Sequence, residues 1–215
     1  MTVKTKDRIV QASLELFNLH GERSVTTNHI AAHIKISPGN LYYHYRNKSD
    51  IIARIFDQYE AAVDELFTLP DNRAITLYDR ALITERLLDL IWKYRFMHRD
   101  LVGMLANDAE LKARYQTFAT QGIASTEQVY IRMCESGFMD IPEDQLKPLA
   151  LNIWILVTSW TTYLRTALGV TEDRQTREQL NQVIYQMFCL EMPYLTPYTK
   201  EETRAQMQAF HLNTD

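Results

Sequence analysis

The residues best equipped to do chemistry lie close together near the N-terminus. The chain there reads Thr26-Thr27-Asn28-His29-Ile30-Ala31, then Ile36-Ser37-Pro38-Gly39-Asn40-Leu41-Tyr42-Tyr43-His44-Tyr45, then Asn47-Lys48-Ser49-Asp50. No nucleophile–base pair, Gly-rich phosphate loop or ligand-spaced His/Cys/acid set is present here or elsewhere in the chain. His29 and His33 have the i, i+4 spacing of a metal pair, but nothing nearby in sequence completes a set, so no metal and no cofactor is expected. What these groups suit is hydrogen bonding to phosphate oxygens and base edges. Gly39 has no side chain to hold a helix off a base, and Asn40 can both donate and accept. Tyr42, Tyr43, His44 and Tyr45 stand about 100° apart on a helix and cannot all face a core. An exposed phenol or imidazole can bond phosphate, and Lys48, at a helix start, adds its charge to the dipole. Tyr45 suits the core better than the surface.

The elements that must position these groups are readable from caps and periodicity. Ile9, Ala12, Ser13, Leu16 and Phe17 form one helix face, and Gly21 stops it. Thr26 or Thr27 caps a short helix that buries Ile30, Ala31 and Ile34. Ser37 caps the next, with Pro38 in the first helical position. Asn47 caps a longer helix whose stripe is Ile52, Ile55, Phe56, Tyr59, Val63 and Leu66. Two short helices joined by a tight turn and flanked by longer ones make a helix-turn-helix, whose second helix enters the major groove by its N-terminus.

This run resembles the signature of TetR-type transcriptional regulators, closely over residues 8–56 and loosely beyond. The resemblance implies a homodimer with a three-helix DNA-binding head and a larger helical body holding a ligand pocket and the dimer interface. Phosphate contacts carry over to Thr27, Tyr42, His44 and Lys48. Base-proximal positions carry over to Ser37, Pro38, Gly39, Asn40 and Tyr43, and core positions to Phe17, Ile30, Ala31 and Leu41. One departure is Lys35, in a turn where the family commonly has Gly; a left-handed Lys there costs about 1 kcal/mol relative to Gly.

Composition and charge agree. In 215 residues there are six Gly, six Pro and two Cys, and 46% are apolar. That excludes collagen, flexible linkers and disulfide frameworks, and it favours long helices. The net charge of −4 is unevenly spread. Residues 1–55 hold eight Lys/Arg against four acids, or +4, while the remainder is −8. A basic head on an acidic body fits one part that meets phosphate and one that does not. The polar N-terminus has no signal-peptide core. The most apolar stretch, Leu149 to Leu164, is too short and too interrupted to span a bilayer, so a cytoplasmic protein with no membrane partner is expected.

The fold expected is all-α, with a DNA-binding domain over 1–50 and an effector-binding and dimerisation domain over 51–215. The boundary falls in a helix shared by both. Body helices are expected at about 74–95, 97–106, 108–136, 143–168 and 174–192, with a short one near 200–210. Candidate pocket residues are Tyr59, Val63, Phe67, Arg95, Phe96, Arg99, Met104, Phe118, Trp154 and Thr158. Arg95 and Arg99 could instead form a structural corner with Asp100. Following the resemblance, the expected dimer face comprises Trp160, Leu180, Val183, Ile184, Met187 and Phe188, in a stripe that also contains Glu191.

Three functions were weighed against these features. The favoured one is a repressor released from an inverted-repeat operator on double-stranded DNA by a small, largely apolar effector. The alternative is a protein of the same fold controlled by a protein partner with no small-molecule effector. An enzyme is disfavoured by the absence of any catalytic motif.

Overall fold

A computed structural model describes residues 4–70, 73–171 and 175–208. Met1–Val3, Glu172–Arg174 and the end of the helix expected near 200–210 lie outside the described residues. Among those described, the architecture is all-α. The helices are α1 (Thr5–His20), α2 (Thr27–His33), α3 (Pro38–His44), α4 (Lys48–Leu66), α5 (Leu77–Lys93), α6 (Arg95–Asn107), α7 (Ala109–Glu135), α8 (Glu143–Thr166), α9 (Arg177–Glu191) and α10 (Pro197–Gln208). An isolated bridge between Met139 and Leu195 ties the α7–α8 connection to the segment before α10.

The local signals that start and stop these helices are hydrogen bonds to otherwise unpaired backbone groups. Thr26 caps α2 in a reciprocal pair with His29, which leaves Thr27 inside the first turn. Ser37 accepts from the Asn40 N–H at 3.2 Å, with Pro38 opening α3. Asn47 accepts from the Asp50 N–H at 2.8 Å, while the Asp50 carboxylate reaches back one residue further, to the Arg46 N–H at 3.0 Å. The α2–α3 turn closes by two bonds, Ile36 N–H to Ala31 O and Lys35 N–H to Ala32 O. This Schellman arrangement needs a left-handed residue just past the helix, and Lys35 takes it with φ of 58°. The turn therefore keeps its geometry at a cost of about 1 kcal/mol relative to Gly.

Burial divides into two apolar clusters. The first joins head and body: Ile9, Phe17, Ile30, Leu41, Ile51 and Ile55 pack in one group with Tyr59, Tyr94, Phe96 and Phe118. The second lies deeper in the body, around Ile91, Tyr130, Ile153, Leu180, Val183, Ile184 and Phe188. The helix α4 runs unbroken across the expected 50/51 boundary, so head and body share one core at that point.

The second cluster contains most of the residues expected at the dimer face. Leu180, Val183, Ile184, Met187 and Phe188 are all buried within the chain itself, where α9 packs on α5 and α8. Trp160 is half-buried and donates its indole N–H to Gln179 O at 2.9 Å. An apolar stripe on a single helix reads the same whether it faces its own chain or another, and here its own chain covers it. On α8, by contrast, apolar side chains are left uncovered: Leu151, Ile155 and Tyr163 are 42%, 51% and 44% exposed.

Candidate nucleic-acid interface and ligand cavity

The nucleic-acid face is built on the two short helices. Leu41 and Tyr45 turn inward, and that choice exposes what lies between and before them. Ser37, Pro38, Gly39, Asn40, Tyr42 and Tyr43 are exposed, and Thr27 and His44 are half-buried. Tyr43 is 84% exposed, with its ring edge-on to His44. The hydroxyls of Thr27 and Tyr42 meet at 3.0 Å, so the first turn of α2 and the middle of α3 present their oxygens together. Beyond the Ser37 hydroxyl, no atom stands within 4 Å of where a Gly39 Cβ would be, so that surface is open to an approaching backbone or base.

Lys48, expected as a phosphate contact, is engaged within the chain. Its ammonium lies 2.6 Å from the Glu22 carboxylate and donates to Glu22 O at 2.9 Å and Val25 O at 3.2 Å. Three N–H groups meet three acceptors. Lys48 therefore ties the start of α4 to the loop before α2.

Arg99 also leaves its expected place. Its guanidinium is buried and donates to Phe17 O at 2.6 Å and Asn18 O at 3.1 Å, carbonyls in the last turn of α1. It also pairs with Asp100, whose carboxylate accepts from the Glu22 N–H at 2.8 Å. Asn18 completes the clasp, donating to Lys93 O and accepting from the Phe96 N–H. The start of α6 is thus bolted to the end of α1. Arg95 lies on the Trp92 ring, 4.2 Å from its centroid, and donates to Trp92 O. Arg99 and Asp100 thus form the inter-helix corner, with Arg95 stacked beside it.

A cavity of about 110 Å³ lies inside the body, along the seam between the two apolar clusters. Tyr59, Val63, Phe67, Trp154 and Thr158 line it as expected from sequence. Arg95, Phe96, Arg99, Met104 and Phe118 do not. Phe118 stands one layer behind, with its ring 5.2 Å from Tyr59 and 5.6 Å from Trp154. Phe96 and Met104 are packed in the head-side core.

Sequence reasoning missed the polar wall of this cavity. At one end Arg80 donates to Glu191 at 2.9 Å and to the Thr203 hydroxyl at 2.8 Å, and Tyr130 donates to the other Glu191 oxygen at 2.9 Å. Arg80, Glu191, Tyr130 and Thr203 are all buried, and burial beside the carboxylate pushes the Tyr130 phenol up. Arg80 shares a helical face with Thr84, Leu88 and Ile91, and Glu191 sits in the α9 stripe. A charge in register with an apolar stripe is the signal that could have found both.

Toward the head, His98 on α6 and Tyr59 on α4 meet at 3.3 Å. Burial holds the imidazole neutral, with its pKa down at about 4, and pushes the Tyr59 phenol up. The unfolded chain binds a proton at His98 near pH 6.5, the folded chain only near 4, so acidification through that window favours unfolding. The expected result is a melting temperature that falls between pH 7 and pH 4.5. The His98→Gln variant should show a shallower fall; equal slopes for the two proteins would exclude His98 as the source.

Residues 58–203 match the family model described as "TetR: Bacterial transcriptional repressor", and residues 9–55 match that of the "Bacterial regulatory proteins, tetR family". A TetR-family transcriptional regulator from Marinobacter aquaeolei VT8 superposes with a TM-score of 0.88 at 43% identity, over 98% of this chain and 100% of that one. SmeT, the repressor of the Stenotrophomonas maltophilia multidrug efflux pump SmeDEF, superposes with a TM-score of 0.60 at 16% identity, over 91% and 93% of the two chains. The HTH-type regulator AcrR of Shigella flexneri is 30% identical over 63 residues, which span 29% of either protein.

Proposed function

The chain belongs to the TetR family of bacterial transcriptional regulators, and we propose that it is a dimeric repressor released from its operator by a small, largely apolar molecule bound in the seam cavity. The observation that carries this reading is the sharing of helices between cavity and head. The cavity is walled by α4 through Tyr59, Val63 and Leu66, and by α6 through His98. The other end of α4 begins at the head, where Lys48 ties it to the loop before α2. Immediately after His98 on α6, Arg99 and Asp100 grip the end of α1 and its exit loop. An occupant that displaces α4 or α6 therefore moves the head of its subunit.

Size makes that displacement necessary. A dry cavity of about 150 Å³ holds a molecule the size of benzene. The present cavity is smaller than that, so anything of drug size must move the walls. To shift the spacing of two heads from 1:99 to 99:1, the effector must prefer the released state by about 5.5 kcal/mol. Burying about 220 Å² of apolar surface supplies this at about 25 cal/mol per Å². The structure of a SmeT–triclosan complex is known, which makes chlorinated phenols sensible first probes here.

Gly122 supplies the test. It lies on α7 where a Cβ would collide with the six-membered ring of Trp154. The Gly122→Ala variant should push that indole into the cavity and fill it. The expected outcome is retained operator binding with release by triclosan weakened at least tenfold, about 1.4 kcal/mol. Release equal to wild type would place the effector site elsewhere.

At the DNA face, the exposed residues of α3 would meet bases and Thr27, Tyr42 and His44 would meet phosphate, with two heads reading an inverted repeat. Tyr42→Phe and His44→Ala should weaken binding to all sequences alike. Lys48→Ala should weaken it too, but by loosening α4. Its slope of log K against log salt should therefore stay at the wild-type value, whereas a lost phosphate contact would reduce it by about one per subunit.

A further inference from the structure

The inner cavity shares two lining residues, Leu66 and Leu90, with a cleft on the outer surface between α4 and α5. Both leucines are buried, so their side chains partition the two spaces. Leu66 ends α4, in the last turn, where a helix yields most easily. On the outer side the cleft is charged, with Glu65 from α4 and Arg86, Asp89 and Lys93 from α5. Asp89 is held by Arg177. Arg86 and Lys93 remain, two turns apart on one face, against the single carboxylate of Glu65.

The inner side offers no counter-charge. Arg80 and Glu191 are paired with each other, and Thr203 and Tyr130 also bond to them. His98 is neutral at physiological pH. The hydroxyls of Thr84, Thr126 and Thr158 each donate to a carbonyl of their own helix. A charged group carried inside would be buried without a partner, at a prohibitive cost. An apolar chain would meet Val63, Ile83, Leu87, Val157 and Met187.

We propose that the two spaces are one site for a single-chain amphiphile with an anionic head. Its alkyl tail passes between Leu66 and Leu90 into the seam, and its head stays in the outer cleft against Arg86 and Lys93. The inference rests on the seam being the effector site, and it adds the ligand class and the route of entry. The head is an anion in either of two chemistries, a carboxylate or a phosphate ester.

The test uses the full-length protein and four probes with one tail: decanoate, decyl phosphate, decanol and decyltrimethylammonium. Binding is followed by calorimetry and release by fluorescence anisotropy of a labelled operator. An anion should bind best, and the stronger of the two anions identifies the head chemistry. Among hexanoate, octanoate and decanoate, affinity should rise about fourfold per methylene, the value for burying a CH₂. In the Arg86→Glu/Lys93→Glu variant the anions should weaken about tenfold, as expected when two partly exposed charge pairs change sign. Decanol, with the same tail and no charge, is the internal control for folding and should change less than twofold, a limit set by the same weak surface term. Affinity independent of chain length, or a head preference untouched by the charge swap, would overturn the proposal. In that case, release by a neutral aromatic such as 1-naphthol, lost in Gly122→Ala, would leave the seam intact as an effector site. If no probe binds at all, the amphiphile and the seam fail together.

Discussion

Replacing Arg80 by alanine is expected to destabilise the protein by about 3–5 kcal/mol, the cost of stranding a charge whose buried partner has gone. The side chains of Arg80 and Glu191 are 6% and 5% exposed, so water cannot take over. Glu191 would keep only the Tyr130 hydroxyl, and Thr203 would lose its donor. The ring of Phe188, 4.8 Å from the guanidinium, would lose its cation as well. At about 2–4 °C per kcal/mol for a chain of this size, the melting temperature should fall by about 10 °C. The penalty belongs to the stranded carboxylate, so the double variant Arg80→Met/Glu191→Gln should recover most of it. A neutral amide still accepts from Tyr130, and a buried ion pair is often worth no more than an apolar pair of similar volume. Thermal melts of the two variants decide the matter. A double variant as unstable as Arg80→Ala would mean that the guanidinium acts through packing and not through its charge.

The same network shows what was legible in the sequence and what was not. Caps, stops and turns are local, and they could be read directly. Ser37 before Pro38, Asn47 before Lys48 and Gly21 after α1 each act on backbone groups within four residues. Even the strained position was visible, since Lys35 stands where a left-handed residue was required. The cavity depends on distant neighbours, and there local pattern ran out. Val63 and Met104 are both buried apolar residues on helices, but only Val63 faces the seam. Which apolar residue faces a gap and which faces another side chain is settled by the crossing of α4, α7 and α8. Arg99 was placed in the pocket because a pair of arginines suggests an anion. The carbonyls of Phe17 and Asn18 that it bonds lie about eighty positions away in sequence.

Dimerisation tests the distinction between an apolar stripe and an apolar surface. Ile184 is fully buried and Ile155 is 51% exposed, though each is a helical isoleucine in an apolar stretch. Ile155 shares its face of α8 with Leu151 and Tyr163, with Ser159 and Thr162 between them, all exposed. A face of exposed apolar side chains bordered by small hydroxyls fits a two-fold contact with a second copy. Ile155→Arg should therefore give a folded chain that sediments as a monomer, because each two-fold-related arginine would meet the other across the contact. Its operator affinity should fall at least a hundredfold, about 2.7 kcal/mol, since a lone head keeps only one half-site. Ile184→Arg should lose operator binding by another route, through a charge buried in the chain's own core and a loss of helical signal at 25 °C. Circular dichroism beside sedimentation separates the two: helical and monomeric for Ile155→Arg, unfolded for Ile184→Arg. A dimer of wild-type affinity in Ile155→Arg would move the interface off this face of α8. A well-folded Ile184→Arg monomer would return it to the α9 stripe.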